Sequence, residues 1–334
     1  MAMVSFGDLA QSFLLKSQTA RLKGEAGRVS QELSSGRVSD VGSIVSGDFS
    51  QLSALSRSRA VIEGYQTTAR AAATSTAAAQ ATISTIAENV QALVAPLLAT
   101  SQLGSVEQIA LTATEARARL NDVVSALNTS IGGRALFSGI DVKGPAVSDA
   151  ETILSALRME LVGVASAQSA TDRISDWFDR IGGYDTTAYQ GDSALADVAV
   201  SPTERIWLGA TANDPDVRSV LKGLAGAALI SDPGLPLQNA ELKAYARLTA
   251  ETLIAGDDSL TNLAARIGIS QSRIDAAQSR NATELMTIEM AQADLVQSDP
   301  YRLASELEAI QTNLETVFAI TARLSRLTLT DFLR

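Results

Sequence analysis

The final stretch of the chain, Asp299 to Arg334, carries apolar residues at Leu303, Leu307, Ile310, Leu314 and Val317, then after Thr321 at Leu324 and Leu327, in steps of four and three. That spacing is a heptad seam, which holds one face of a slightly supercoiled helix against a partner helix. A lone helix has nothing to bury such a stripe against. The chain must supply a second helix or meet one on another molecule, so paired helices are required.

A longer seam runs Leu55, Ser58, Ile62, Tyr65, Ala69, Ala72, Thr76, Ala79, Ile83, Ile86, Val90, Leu93 and Leu97 without a break. At a rise of about 1.5 Å per residue it predicts a helix of roughly 65 Å, with a kink or stop at Pro96. Between Arg70 and Ala81 nearly every residue is Ala, Ser or Thr, so a neighbouring backbone can come close. At the other end of the chain Phe6, Leu9 and Phe13 start a stripe that continues after a phase change as Leu15, Leu22, Ala26, Val29 and Leu33. Gly36 suits its left-handed C-cap, and residues 37 to 47 read as a loop. A third seam, Ile109, Ala113, Ala116, Leu120, Val123 and Leu127, follows the capping-box spacing of Ser105 and Gln108 and closes at Ile131-Gly132-Gly133.

Gly144-Pro145 marks the start of an inserted domain. Ser148 with Glu151 has capping-box spacing and opens a helix to about Val164, and Thr171 to Ile181 reads as another. Val198 to Ser201 and Arg205 to Leu208 are β-prone segments around Pro202 that suit a small hairpin. Asp214-Pro215 is a helix start, and Ser231 to Pro236 is a turn. Leu242, Ala246, Thr249 and Leu253 then begin a return helix that stops near Gly256. Another helix carries Leu260, Leu263, Ile267, Ile274, Asn281, Ile288 and Leu295. A buried Asn281 would fix register at a cost in stability, and a solvent-facing one is the alternative. Asp299-Pro300 shifts the phase into the closing seam.

The expected fold is mainly α: a long coiled-coil-like helical bundle formed by both terminal regions, with a small inserted α/β (α+β) domain. The expected divisions are 1–40 and 299–334 as assembly helices, 41–144 and 241–298 as the bundle, and 145–240 as the insertion. Aromatic residues are only 4% of the 334 residues against 46% hydrophobic, so alanine carries much of the apolar content and close helix packing is favoured.

Composition also excludes chemistry. Cysteine and histidine are absent, which removes disulfides, thiolate or imidazole metal ligands, cysteine nucleophiles and histidine-based triads. Carboxylate, lysine or serine catalysis stays open. The formal charge is −10. Residues 1–140 hold 11 basic and 10 acidic side chains, 141–260 hold 9 and 18, and 261–334 hold 7 and 9. An acidic centre between near-neutral ends argues against nucleic acid as partner. No apolar run approaches the roughly 20 residues of a membrane span. Met1 to Gln18 lacks the features of a cleavable signal peptide, which reads as cytoplasmic unless export takes another route.

No phosphate loop, dinucleotide fingerprint, nucleophile elbow or zinc spacing occurs. Gly132-Gly133 and Gly182-Gly183 read as turns. Asp214 and Asp216 could ligate calcium, although helix capping explains Asp214 without an ion. Asp172, Asp176 and Asp179 read as a solvated helix face. Asn128-Thr-Ser130 matches a glycosylation sequon, a common chance match. No catalytic, cofactor-binding or metal-binding residue is assigned.

Several segments resemble the bacterial flagellin superfamily, in its hook–filament junction branch. They are Gln31-Glu-Leu-Ser-Ser-Gly-Arg37, Ala126-Leu-Asn-Thr-Ser-Ile-Gly-Gly-Arg134 running into Leu136-Phe-Ser-Gly139, and Gly268-Ile-Ser-Gln-Ser-Arg273 followed by Asn281. Asp299-Pro-Tyr301 and Leu324 to Leu333 complete the set, while the insertion is similar only around Tyr189-Gln-Gly-Asp192. The stretch Asp40 to Asp48 departs from the family pattern, as do the opening residues.

The resemblance implies a non-enzymatic, cofactor-free protein exported through the flagellar type III apparatus with an export chaperone, and located outside the cell. It would form a ring with copies of itself between the hook-side junction protein and flagellin. Its assembly interface would comprise Phe6, Leu9, Phe13, Leu22, Val29 and Leu33 with Leu303, Leu307, Ile310, Leu314, Val317, Leu324, Leu327 and Phe332. The two terminal stretches would pair as an inner helical layer that is disordered in the free subunit. The rival readings are filament flagellin itself, a coiled-coil protein of another secretion or tail assembly, and a carboxylate enzyme housed in the insertion.

Overall fold

The computed structural model describes residues 6–44, 47–237 and 239–332. The chain divides into two units, Ile62–Ala282 and Met1–Val61 with Thr283–Arg334. Helices dominate both, and the strands form two small two-stranded sheets.

The Ile62–Ala282 unit is built on three helices: α3 (Ser50–Leu103), which begins in the other unit, α4 (Val106–Leu127), and α9 (Asn239–Val296), which ends in it. Apart from the half-buried Tyr65, the long seam is buried from Ile62 onward, with Ile83, Ile86, Val90, Leu93 and Leu97 at 1% exposure or less. Thr76 sits in that buried face because its hydroxyl donates back to the Ala72 carbonyl at 3.0 Å, which satisfies it locally. Pro96 neither stops nor ends α3, which continues to Leu103. Burial of Leu93 and Leu97 on both sides of it offsets the lost backbone bond. The stop comes at Gly104, where a Cβ would lie 2.5 Å from the Thr100 carbonyl oxygen. An apolar window of α3 reaches a mean hydropathy of 1.2, enough by length and composition to cross a membrane. The sequence expectation that no run comes near that threshold is therefore corrected, although α3 here buries its apolar seam within the protein.

α4 starts as expected. Ser105 accepts from the Gln108 amide at 3.4 Å while the Gln108 side chain accepts from the Ser105 amide at 2.9 Å. Its seam residues Ile109, Ala113, Ala116, Leu120, Val123 and Leu127 are all buried. Behind it β1 (Ser130–Ile131) and β2 (Arg134–Ala135) form a hairpin. Gly132 and Gly133 both have positive φ, 58° and 78°, as a two-residue turn between antiparallel strands demands.

The insertion packs four helices onto this frame. They are α5 (Ala150–Glu160), α6 (Ala167–Asp179), α7 (Tyr184–Thr187) and α8 (Pro215–Ala228), with α8 lying against α4. The cap of α5 is Asp149, not Ser148. Its carboxylate accepts from the Thr152 amide at 2.7 Å, and the helix stops at Glu160, short of Val164. α6, by contrast, starts earlier than its apolar pattern suggests, because Ser166 caps it by accepting from the Ser169 amide at 3.2 Å. Trp177, Phe178 and Tyr184 form one aromatic cluster, with ring centroids 4.9 to 6.1 Å apart. Burial pushes the Tyr184 hydroxyl well above its ordinary pKa, so it stays a donor, to the Ala212 carbonyl at 3.0 Å.

The expected hairpin is present as β3 (Val198–Ser201) and β4 (Glu204–Ile206). It is pinned to α9: Asn281 is 2% exposed and donates to the Val200 carbonyl at 2.9 Å, while Ser270 donates to the Trp207 carbonyl at 3.0 Å. Asn281 is thus the buried alternative, and it fixes the hairpin rather than a helix register. Asp232 closes the 231–236 turn by accepting from the Gly234 amide at 3.0 Å and from Arg158 Nε at 2.8 Å.

No break occurs at Gly256, since α9 is one helix of 58 residues. Gly256 serves packing: a Cβ there would sit 3.1 Å from the Val220 Cα of α8. Gly223 does the same from the other side, with its Cβ position 2.7 Å from Leu253 Cδ2. α8 and α9 therefore meet backbone to backbone, a spacing that a glycine-free pair could not reach. Gly223→Ala is expected to destabilise by about 1–3 kcal/mol through overpacking. Gly64→Ala, with nothing within 4 Å, should stabilise by up to ~1 kcal/mol through helix propensity. Thermal unfolding of both variants checks the opposite signs.

Candidate assembly surface

The Met1–Val61 and Thr283–Arg334 unit is organised by two helices from opposite ends of the chain, α1 (Phe6–Ser35) and α10 (Pro300–Phe332), which pack along each other. A four-residue helix, α2 (Val41–Ile44), lies in the stretch read as a loop. The α1–α10 seam is Leu22 and Val29 against Leu303 and Ile310, all at 6% exposure or less. Ala26, Leu307, Leu314 and Val317 extend it, partly buried. Each of the fully covered side chains stabilises the pair by about 1.5–3 kcal/mol relative to solvent.

Polar contacts set the register of this pair. Arg28 bridges Glu32 on its own helix at 3.0 Å and Glu306 on α10 at 3.2 Å. At the end of α1, Gly36 adopts φ 67° and donates to the Glu32 carbonyl at 2.9 Å, the left-handed cap expected there. The chain then runs antiparallel to the α9–α10 link. Val38 donates to the Val296 carbonyl at 3.1 Å, Ser298 donates to the Gly36 carbonyl at 3.1 Å, and Arg37 pairs with Gln297. Asp299 caps α10 by accepting from the Tyr301 and Arg302 amides at 2.9 and 3.2 Å. The phase shift read at Asp299-Pro300 is this junction.

One seam is covered, and several large apolar side chains outside it are not. Phe13 and Leu14 on α1 are 74% and 56% exposed, and Phe318 and Ile320 on α10 are 49% and 45% exposed. Leu33 is also exposed. Phe6, Leu9, Leu324, Leu327 and Phe332 belong to the same two helices, with side chains outside the described residues. Sequence periodicity picks out the covered seam but misses Leu14, Phe318 and Ile320. Phe318 directly follows the seam residue Val317, and an apolar residue off the heptad position is the only signal it leaves.

In the Ile62–Ala282 unit, two of the segments singled out in the sequence hold each other. Asp192 donates from its amide to the Ser138 carbonyl at 2.9 Å, and Ile140 donates to the Ser193 carbonyl at 3.0 Å. Gly139 has φ 70°, and a Cβ on it would lie 2.5 Å from the Asp192 carbonyl; a Cβ on Gly191 would lie 2.5 Å from the Ser138 carbonyl. Phe137-Ser-Gly139 and Tyr189-Gln-Gly-Asp192 are thus the two halves of one backbone clasp. Asn128 has both ends of its amide committed to Val147, at 2.8 and 2.9 Å, so the sequon residue is a structural clamp.

The acidic candidates have structural partners. Arg266 Nη2 donates to Asp214 at 3.1 Å and to Asp216 at 2.6 Å while its guanidinium stacks 4.9 Å over Trp207. A cation already bridges these two carboxylates, and it is the arginine. Asp179 pairs with Lys222 at 2.5 Å, and Asp172 accepts from Gln168 at 2.8 Å. Among the described residues no group of three or more acidic side chains could hold a metal.

Residues 255–333 match the family profile of the bacterial flagellin C-terminal helical region. The chain carries a flagellin-type C-terminal region. The matched span comprises most of α9, the Asp299-Pro300 junction and α10. The fold is also similar to a solved structure assigned as a flagellar hook-associated protein from Vibrio parahaemolyticus. The TM-score is 0.52 at 13% identity, over 75% of this chain and 99% of that chain. At that identity the likeness is one of fold. No curated protein sequence matches the chain.

Leu303→Ala removes a fully buried seam residue and is expected to weaken the α1–α10 pair by about 2–5 kcal/mol. Native-state hydrogen exchange should show lost protection in residues 20–32 and 300–312, with α4 and α8 unchanged.

Proposed function

We propose that the chain is a structural, non-enzymatic component of the bacterial flagellum: the adaptor that joins the hook, through the hook-side junction protein, to the flagellin filament. The observation that carries this reading is the flagellin-type C-terminal region, whose last helix, α10, has its seam covered by α1 and keeps Phe318 and Ile320 exposed outside that seam. The fold likeness to a hook-associated protein favours the junction over the filament.

In this role the inner seam pairs the ends of one subunit, and the outer residues Phe13, Phe318 and Ile320 meet neighbouring copies in a ring. The interface extends along both helices to Phe6, Leu9 and Leu33, and to Leu324, Leu327 and Phe332. Export in an extended state through the type III apparatus, with a chaperone covering the apolar faces, fits two terminal helices whose stability depends on partners. The ring lies outside the cell, between the hook-side junction protein and the first flagellin subunits.

A deletion strain tests the role. Hooks without filaments, together with flagellin in the medium, are expected, and normal filaments would overturn the proposal. A chain lacking Asp299 to Arg334 should keep the circular dichroism and melting of the Ile62–Ala282 unit, yet fail to restore filaments in that strain.

A further inference from the structure

We infer that Glu32 is an acid-released latch that locks the end of α1 onto the junction between α9 and α10. Glu32 is 1% exposed, one turn beyond the fully buried Val29 on the covered side of α1. Its carboxylate Oε1 accepts from Arg28 Nη1 at 3.0 Å and from the Ser39 amide at 3.1 Å. Its backbone carbonyl accepts from the Gly36 amide at 2.9 Å and from the buried Ser298 hydroxyl at 3.3 Å. One residue therefore holds three pieces: α1 itself, the 36–39 segment leaving it, and the link into α10. The antiparallel pairing of Gly36 to Val38 with Val296 to Ser298 lies directly on this residue.

The ionised form is the one that fits. Both Oε1 contacts are donors, so a protonated carboxyl loses acceptor strength toward both and its charge pairing with Arg28. The charged groups around the site are few. Arg28 reaches it from α1. Glu306 shares Arg28 from α10 and itself accepts from Arg302 at 3.4 Å. Asp299 in the link is turned to the first amides of α10, while Arg37 and Asp40 on the following segment are exposed. Burial pushes the Glu32 carboxyl up, but the Ser39 amide and the Arg28 guanidinium outweigh it, and the group titrates below its ordinary value near 4.5. A folded-state value below the unfolded one means that the stabilisation is fully present above about pH 4.5 and is lost as pH falls through the lowered value. The latch is closed at neutral pH and opens in acid. It is a property of the isolated chain and does not rest on the flagellar reading.

Hydrogen–deuterium exchange of the full chain, with α8 peptides from the other unit as reference, reads the latch. Wild-type peptides covering 28–40 and 296–306 should lose about tenfold protection in acid, the scale of a charge-assisted hydrogen bond, after correction for intrinsic rate. Glu32→Gln should show that low protection already at pH 7, with no further acid step in these peptides. Wild-type protection at pH 7 in Glu32→Gln, or an acid step equal to that of the wild type, would overturn the inference. Should the Gln chain not fold in this unit, Arg28→Met keeps the carboxylate and the Ser39 contact. Its acid midpoint should move to higher pH, and an unchanged midpoint would overturn the inference as well.

Discussion

Leu22 and Val29 are covered by Leu303 and Ile310, from the opposite end of the sequence, and the terminal unit depends on that one contact. Neither helix has another apolar core among the described residues, so each is the other's only inner cover. The Arg28–Glu306 bridge spans 278 positions. Closing so long a loop carries an entropic cost that rises slowly with length, about 0.6 kcal/mol per doubling. The pair therefore forms only when the end of the chain is present. Apolar seams that stabilise only when matched, and large apolar side chains left exposed beside them, suit a chain whose ends are completed by other subunits.

The Ile62–Ala282 unit follows a different physical logic. Its core is one continuous cluster, running from Ile83 and Leu97 through α4 and the aromatic residues at Trp177 to Leu260 and Ile267 on α9. Glycines at 223 and 256 let α8 and α9 approach closely, and those at 139 and 191 let two loops clasp through their backbones. Its polar side chains are spent on structure: Asn281 on the hairpin, Asn128 on Val147, Arg266 on two aspartates. Each of these contacts ties two segments of the unit together.

Much of the helical plan was legible because periodicity reports burial directly. The seam from Ile62 to Leu97, the capping box at Ser105, the helix start at Asp214 and the turn at Gly132-Gly133 all follow from local chemistry. Errors arose where tertiary packing overrides a local signal. Pro96 lies inside a helix held by Leu93 and Leu97, Gly256 marks a close helix crossing rather than an end, and Asp149 outcompetes Ser148 as a cap. At the candidate surface the covered seam was readable, while the exposure of Leu14, Phe318 and Ile320 was not. Exposure depends on where the partner helix lies, and a single stripe does not encode that. Glu32 left only an i,i+4 pairing with Arg28, which on sequence alone is an ordinary surface pair.

The exposed apolar side chains outside the seam offer the most direct test of how subunits join. A Phe13→Ser, Phe318→Ser double variant leaves Leu22, Val29, Leu303 and Ile310 in place, so the subunit should keep wild-type circular dichroism. The measurement is its incorporation at hook tips, counted by immunoelectron microscopy against wild-type protein expressed at the same level. Export with loss of incorporation is the expected result, and wild-type incorporation would contradict an assembly role for this surface.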